Sequence, residues 1–315
     1  MTARPFRCGT IAAANPDTTY AIVDGFGKTD SVFNIENVLG SGFADTLYGD
    51  GNANTLDGGA GTANDTLIGG AGADSLIGGG GIDTASYATA TAAVVASLAN
   101  SALNTGDAAG DSYNSIEALI GTSFADTLYG DGNANTLDGG AGTVNDTLIG
   151  GAGGDSLIGG LGTDTASYVN ATAAVVASLA NTALNTGDAA GDSYNSIEAL
   201  VGSSFADTLY GDGNANTLDG GAGTANDTLI GGAGADSLIG GGGTDTASYA
   251  TATAAVVASL ANAALNTGDA AGDSYNSIEA LTGSGYNDTL YGDGNANTLD
   301  GGNGDDLLIE IGRAH

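Results

Sequence analysis

Leucine and isoleucine do not scatter along this chain; they return at fixed spacing. From Gly40 the sequence falls into lines of nine: GSGFADTLY, GDGNANTLD, GGAGT(AN)DTLI, GGAGADSLI and GGGGIDTAS, the third carrying two extra residues, Ala63 and Asn64. Each line opens with Gly, has Asp or Asn sixth and Leu or Ala eighth. A second period encloses the first: the string beginning FADTLYGDGNANTLD starts at Phe43, Phe124 and Phe205 and returns as YNDTLYGDGNANTLD at Tyr286, a repeat of 81 residues. Self-similarity at fixed short periods marks a repeat architecture, in which each unit buries its apolar face only by stacking on the next. Between the nonapeptide blocks lie segments such as Tyr87 to Ile120. Their alanine content permits a helix, but Val94, Ala96 and Leu98 alternate with Val95, Ser97 and Ala99, which predicts a strand. SYNSIEAL predicts a second strand after the Asp107–Asp111 loop.

The lines GGAGADSLI (Gly69–Ile77) and GGAGGDSLI (Gly150–Ile158) match G-G-x-G-x-D-x-U-x at every specified position. Over roughly Gly40 to Ile309 the chain resembles the RTX (repeats-in-toxin) family of haemolysin-type calcium-binding nonapeptide repeats. The resemblance implies an all-β fold, a right-handed parallel β-roll or β-helix solenoid with calcium-binding glycine-rich turns. Six residues of each nonapeptide would form a turn and three a short strand, with two nonapeptides per coil. The sixth-position carboxylate would bind Ca²⁺ together with that of the turn one coil away. The implied metal ligands are Asp45, Asp65, Asp74 and Asp83 in the first block, Asp126, Asp146, Asp155 and Asp164 in the second, Asp207, Asp227, Asp236 and Asp245 in the third, and Asp288 and Asp306 in the fourth. Asn54, Asn135, Asn216 and Asn297 replace the acid, and their sites are expected to be weaker. The two-residue insertion before Asp65, Asp146 and Asp227 is expected to distort that turn. Asp107, Asp111 and Glu117 are expected to be solvated or structural, and the ninth-position Asp138 to point outward.

The organisation expected is an N-terminal lead (1–28), the end of a diverged spacer (29–39), repeat blocks at 40–86, 121–167 and 202–248, spacers at 87–120, 168–201 and 249–282, a partial block at 283–309 and a non-native tail at 310–315. The spacers read as extra coils with longer turns. The tail, EIGRAH, breaks a register that calls for another Gly-Gly.

Charge sharpens the picture. There are 37 acidic residues against 4 basic ones, a formal net charge of -33, and no Lys or Arg between Thr29 and Gly312. Nucleic acid and anionic membrane surfaces are thereby disfavoured as partners. Two carboxylates about 4 Å apart repel by roughly 4 kcal/mol at an effective dielectric near 20. With no basic side chain to neutralise them, a metal cation is the natural counter-charge, and the calcium ions implied above are the expected cofactor and partner. A hydrophobic content of 42% argues against a simply disordered acidic tail. Cys8 is the only cysteine, so neither a disulfide framework nor a thiolate site arises. No apolar run approaches a membrane span, and no conventional signal peptide precedes the array.

Other motifs fail on inspection. DGNANTLD from Asp50 begins like an EF-hand loop but has Thr55 where Gly is required. GFGKT at Gly25–Thr29 lacks the first glycine of a phosphate loop. NDT at Asn64, Asn145, Asn226 and Asn287 is a formal glycosylation sequon inside repeat turns. His315 is the only histidine, and neither H-E-x-x-H nor G-x-S-x-G occurs, so the chain is not expected to be an enzyme. The expected function is a calcium-binding structural repeat region of a secreted or surface-attached bacterial protein, extracellular or at the cell surface, adhesin-like, exported by type I secretion and part of a larger polypeptide. The alternatives are a folding and secretion appendage of an enzyme, and an ice- or glycan-binding face motivated by the column Thr46, Thr66 and Thr84.

Overall fold

In a computed structural model of the chain, residues 35–310 are described, together with the backbone strands Ile11–Ala12, Tyr20–Val23 and Thr29–Val32. Cys8, Lys28 and the end of the expected tail, 311–315, lie outside the described residues. The chain divides into two compact units, one of residues 1–150 and 155–164, the other of 151–154 and 165–315.

The last three residues of each nonapeptide form a strand, such as Thr46–Tyr48, Thr55–Asp57, Thr66–Ile68 and Ser75–Ile77. Side chains alternate across a strand, so the eighth residue points inward and its neighbours lie half-buried. Leu47, Leu56, Leu67 and Leu76 are at most 1% exposed. Strands pair in parallel, with like position on like position. In the first unit one sheet stacks Leu47 on Leu67, Ala85, Leu119, Leu137 and Leu157. A second stacks Val38 on Leu56, Leu76 and Tyr113. A third stacks Ala96 on Leu128 and Leu148. The second unit repeats the pattern, running Ala177, Leu209, Leu229, Ala247, Leu281 and Leu299 in its longest column. The core is thus a set of aliphatic columns, one side chain per nonapeptide, and the fold is a parallel β-roll.

The spacers contribute strands rather than helices. Their helical pieces are three-residue 3-10 turns, Ser101–Leu103 and Gly106–Ala108 in the first. Val95–Ser97 is a strand with Val94 and Ala96 buried, as expected, but the alternation ends there: Ser97 is buried as well and Leu98 is only half-buried. Each spacer does more than add a coil with longer turns. In the first unit, Val95–Ser97 opens a new sheet beneath Thr127–Tyr129, Ser112–Asn114 ends an old one on Ser75–Ile77, and Ala118–Ile120 continues a third between Thr84–Ser86 and Thr136–Asp138. The second unit does the same with Val257–Ser259, Ser274–Asn276 and Ala280–Thr282.

Candidate metal centre

The glycine turns that connect these strands bring the sixth-position residues into ladders. In most of them one carboxylate oxygen accepts a hydrogen bond from the backbone N–H of the sixth residue one coil back; Asp45, at the start of its ladder, instead accepts from Ser41 N at 2.5 Å through Oδ2 and leaves Oδ1 with no donor. Asp65 Oδ1 accepts from Asp45 N at 2.8 Å, and Asp83 Oδ1 from Asp65 N at 2.7 Å. Asp74 Oδ1 accepts from Asn54 N at 2.8 Å, on the other side of the roll. Asp146, Asp155 and Asp164 accept in the same way from Asp126, Asn135 and Asp146. Asp227, Asp236 and Asp245 accept from Asp207, Asn216 and Asp227, and Asp306 from Asp288. Asp126, Asp207 and Asp288 each start a ladder, accepting from the N–H of a spacer valine, Val94, Val175 or Val256, at 2.7 Å. The candidate residues therefore share four ladders in the first unit and three in the second instead of one cluster.

The second carboxylate oxygen folds back over the first glycine of its own turn. A Cβ on Gly69 would stand 2.3 Å from Asp74 Oδ2. A Cβ on Gly121 would stand 2.6 Å from both Asp126 Oδ2 and the Gly139 carbonyl oxygen. Only glycine leaves this space open, and its neighbour Gly70, at φ +90°, supplies a backbone turn that L side chains resist. The turns that begin at Gly40, Gly58, Gly121, Gly139, Gly202, Gly220 and Gly283 thus present a carboxylate oxygen beside the carbonyl of the first glycine one coil on. Asp74, Asp83, Asp236 and Asp245 are at most 1% exposed, and their Oδ2 atoms have no hydrogen-bond donor. Burial pushes the Asp74 and Asp236 carboxyls up to about 7, against the opposing pull of the backbone N–H each accepts; the nearby carboxylates Asp111 and Asp273 add to the rise. Asp146 and Asp227 rise to about 6 for the same first cause.

Three groups of residues were not legible in the nonapeptide register. Asp111 stands in the ladder above Asp74: it is fully buried, accepts from Asp74 N at 2.8 Å and takes the Tyr87 phenol on its other oxygen at 2.7 Å. Asp273 does the same with Asp236 N and Tyr249. Of the two expectations for Asp111, solvated or structural, its burial and hydrogen bonds fit the structural one; the signal for it was D-S-Y at 111–113, which parallels D-S-L at 74–76. Glu117 and Glu279 extend the neighbouring stack, Oε2 accepting from Asp83 N at 2.9 Å and Asp245 N at 3.0 Å. Ser115 and Ser277, at φ 52° and 51°, turn their carbonyl oxygens onto Gly78 and Gly240, beside Asp83 Oδ2 and Asp245 Oδ2. Ninth-position Asp138 and Asp219 do not merely face outward; each accepts from the glycine N–H two residues on at 2.9 Å. The Ala63–Asn64 insertion leaves the Asp65 ladder intact, and Asn64 Oδ1 accepts from Ile82 N at 3.0 Å.

The donor set is all oxygen. Among the described residues no three His, Cys, Asp or Glu side chains converge on a point. A cation held here would be shared between one or two carboxylates and several backbone carbonyls, the hard, flexible oxygen environment that suits Ca²⁺ and that Mg²⁺, with its tight octahedron, fits poorly. The family model for the RTX calcium-binding nonapeptide repeat matches residues 34–62, 60–85, 113–143, 144–166, 194–225, 222–248 and 275–308, more than half of the chain. No curated protein matches it.

Proposed function

Because the chain belongs to the RTX calcium-binding nonapeptide repeat family, we propose that its carboxylate ladders are rows of Ca²⁺ sites that fold and stiffen the roll outside the cell. The repeats bind Ca²⁺; the ligands assigned here are the sixth-position aspartates, the first-position glycine carbonyls and, at the spacers, the carbonyls of Ser115 and Ser277. The observation that supports the assignment is the set of buried carboxylate oxygens with no donor, at Asp74, Asp83, Asp236 and Asp245. A buried, uncompensated polar atom costs roughly 1–3 kcal/mol, more when charged. No Lys or Arg lies between Thr29 and Gly312 to offset that cost, and a hard divalent cation would.

A ligand that binds only the folded form adds its binding energy to stability. The thin core makes that linkage decisive, since each nonapeptide buries only about one large aliphatic side chain. Calcium is abundant outside cells, and secretion is typical of this family, so the chain would travel unfolded and fold on arrival. Repeats of this kind are structural elements rather than catalytic ones. No helix among the described residues is long and apolar enough to cross a membrane. The reading places the roll in a secreted or surface-attached protein, as a stalk or as the folding appendage of other domains.

Circular dichroism in chelator and through a Ca²⁺ titration tests the reading. The chelated chain should lack most of its β-signal, millimolar Ca²⁺ should restore it, and Mg²⁺ should do so poorly. A full β-spectrum in chelator would overturn it.

A further inference from the structure

Where a spacer rejoins a nonapeptide block, the roll loses a turn. Only Ser115 to Glu117 connects the strands Ser112–Asn114 and Ala118–Ile120, in place of the six-residue turn that precedes Thr127–Tyr129. The next turn on that side, GDGNAN at Gly130–Asn135, therefore lies over a gap. The gap is a cavity of about 290 Å³, open to solvent and lined by Leu98, Tyr113 and Ile116 together with Glu117, Asp131, Asn133 and Asn135. The second unit has the same cavity, about 300 Å³, lined by Leu260, Tyr275 and Ile278 together with Glu279, Asp293, Asn295 and Asn297. Leu179, Tyr194, Asp212 and Asn214 stand at the corresponding positions of the intervening copy.

We propose that these cavities bind a neutral sugar ring, one per 81-residue repeat. The size is at the low end of small-ligand sites, with room for a single ring. The lining is mainly polar, with planar carboxylate and amide groups for hydroxyls and a smaller aromatic and aliphatic part, from Leu98 and Tyr113, for a C–H face. The polar lining offers acceptors at Glu117 and Asp131, the latter already taking the Asn133 amide at 3.1 and 3.0 Å, and donors at the Asn amides. Asn297 Nδ2 is a buried atom with no acceptor, and Asn135 Nδ2 reaches only the Glu117 carbonyl, at 3.4 Å. A hydroxyl both donates and accepts and so satisfies both kinds of group, whereas an ammonium cannot accept from the amides. No basic side chain lines the cavity, which excludes phosphate, sulfate and uronic acids. The Tyr113 ring is held in place by its hydroxyl, which meets Tyr87 Oη at 2.5 Å and Asn104 Nδ2 at 3.4 Å. Three weak sites on one chain would engage a polymer of such sugars with avidity that no single site has.

The reading does not depend on which residues hold calcium, only on a folded chain. The experiment uses the full chain in Ca²⁺, its β-signal checked by circular dichroism. Saturation-transfer NMR is recorded with glucose, galactose, mannose and N-acetylglucosamine, with glucuronic acid as the anionic comparator. At least one neutral sugar should give a signal, with Kd in the millimolar range, and glucuronic acid none. Asn133→Ala, Asn214→Ala and Asn295→Ala together remove exposed amides from the three polar linings; the signal should fall at least fivefold while the Ca²⁺ midpoint stays put. Leu98→Phe, Leu179→Phe and Leu260→Phe fill the cavities from the apolar part of the lining and should abolish it. Water alone in the cavities, seen as no transfer to any neutral sugar, would overturn the proposal. So would a signal that survives both variants in folded protein, or one equally strong for glucuronic acid.

Discussion

Asp236→Asn separates the two jobs of a ladder carboxylate. Asp236 accepts from Asn216 N at 2.8 Å through Oδ1 and leaves Oδ2 buried with no donor. The amide keeps the first bond and removes the charge. Without metal the change should be neutral or favourable, because burial and the Asp273 carboxylate already push the Asp236 carboxyl up to about 7. With Ca²⁺ the sign reverses. A unit charge pair about 4 Å apart is worth roughly 4 kcal/mol at an effective dielectric near 20, and even a third of that is about a tenfold change in affinity. The site should therefore weaken by at least tenfold, and coils on either side should feel it, since each repeat is stabilised by its neighbours.

Asp219→Asn is the matched control. It removes the same charge from the ninth position of the line one coil back, where the side chain only accepts from Gly221 N at 2.9 Å, a bond an amide preserves. Its Ca²⁺ midpoint should move less than twofold. Isothermal titration calorimetry counts ions per chain for each variant, and circular dichroism gives the folding midpoint. If Asp219→Asn loses as much calcium as Asp236→Asn, the ions are held by diffuse charge and the ladder assignment is wrong.

Two further outcomes follow from the same geometry. The raised carboxyls of Asp74, Asp236, Asp146 and Asp227 mean that the metal-free folded chain binds more protons than the unfolded one between about pH 4 and pH 7; the penalty is full above pH 7 and fades on acidification, so the chelated chain should show more β-signal at pH 5 than at pH 8, and less would contradict the burial argument. Tyr249→Phe takes the donor from the buried Asp273 Oδ2, a 2.6 Å bond, and should cost the calcium-loaded chain roughly 1–3 kcal/mol, read as a lower urea midpoint; an unchanged midpoint would show that the tyrosine is not needed to hold Asp273.

What could be read in advance was whatever repeats within nine residues. The eighth-position leucines gave the columns, and the alternation around Val94 to Ala99 gave a strand in a segment rich enough in alanine for a helix. The ladders pair residues 18 or 20 apart, and the period supplies that offset. It fails at the spacers, where Asp111 meets Asp74 across 37 residues and Glu117 meets Asp83 across 34. Those acids lack flanking glycine pairs and so resemble ordinary loop charges, although D-S-Y and E-A-L place each one immediately before a strand. The insertion at Ala63–Asn64 looked disruptive for a related reason. The ladder runs through the backbone N–H of Asp65 and its carboxylate, both downstream of the extra residues, so the turn absorbs them outside the stack.

The four asparagines at the sixth position have a cause that local sequence hides. Asn54, Asn135, Asn216 and Asn297 all precede a strand whose first N–H donates to a glutamate carbonyl: Thr55 to Glu36, Thr136 to Glu117, Thr217 to Glu198 and Thr298 to Glu279. The asparagine therefore always sits next to the short glutamate turn. Toward the following coil it behaves like its aspartate counterparts, its N–H donating to Asp74, Asp155 or Asp236. Toward the preceding coil there is no glycine turn to complete a metal site, and a glutamate carbonyl stands 3.4 Å from the amide nitrogen of Asn135 and Asn216. A carboxylate in that place would set oxygen against oxygen at a buried position, whereas an amide donates. At Asn135 and Asn216 the amide thus suits the edge of a ladder by donating to that carbonyl, whereas the amide nitrogens of Asn54 and Asn297 are buried with no acceptor.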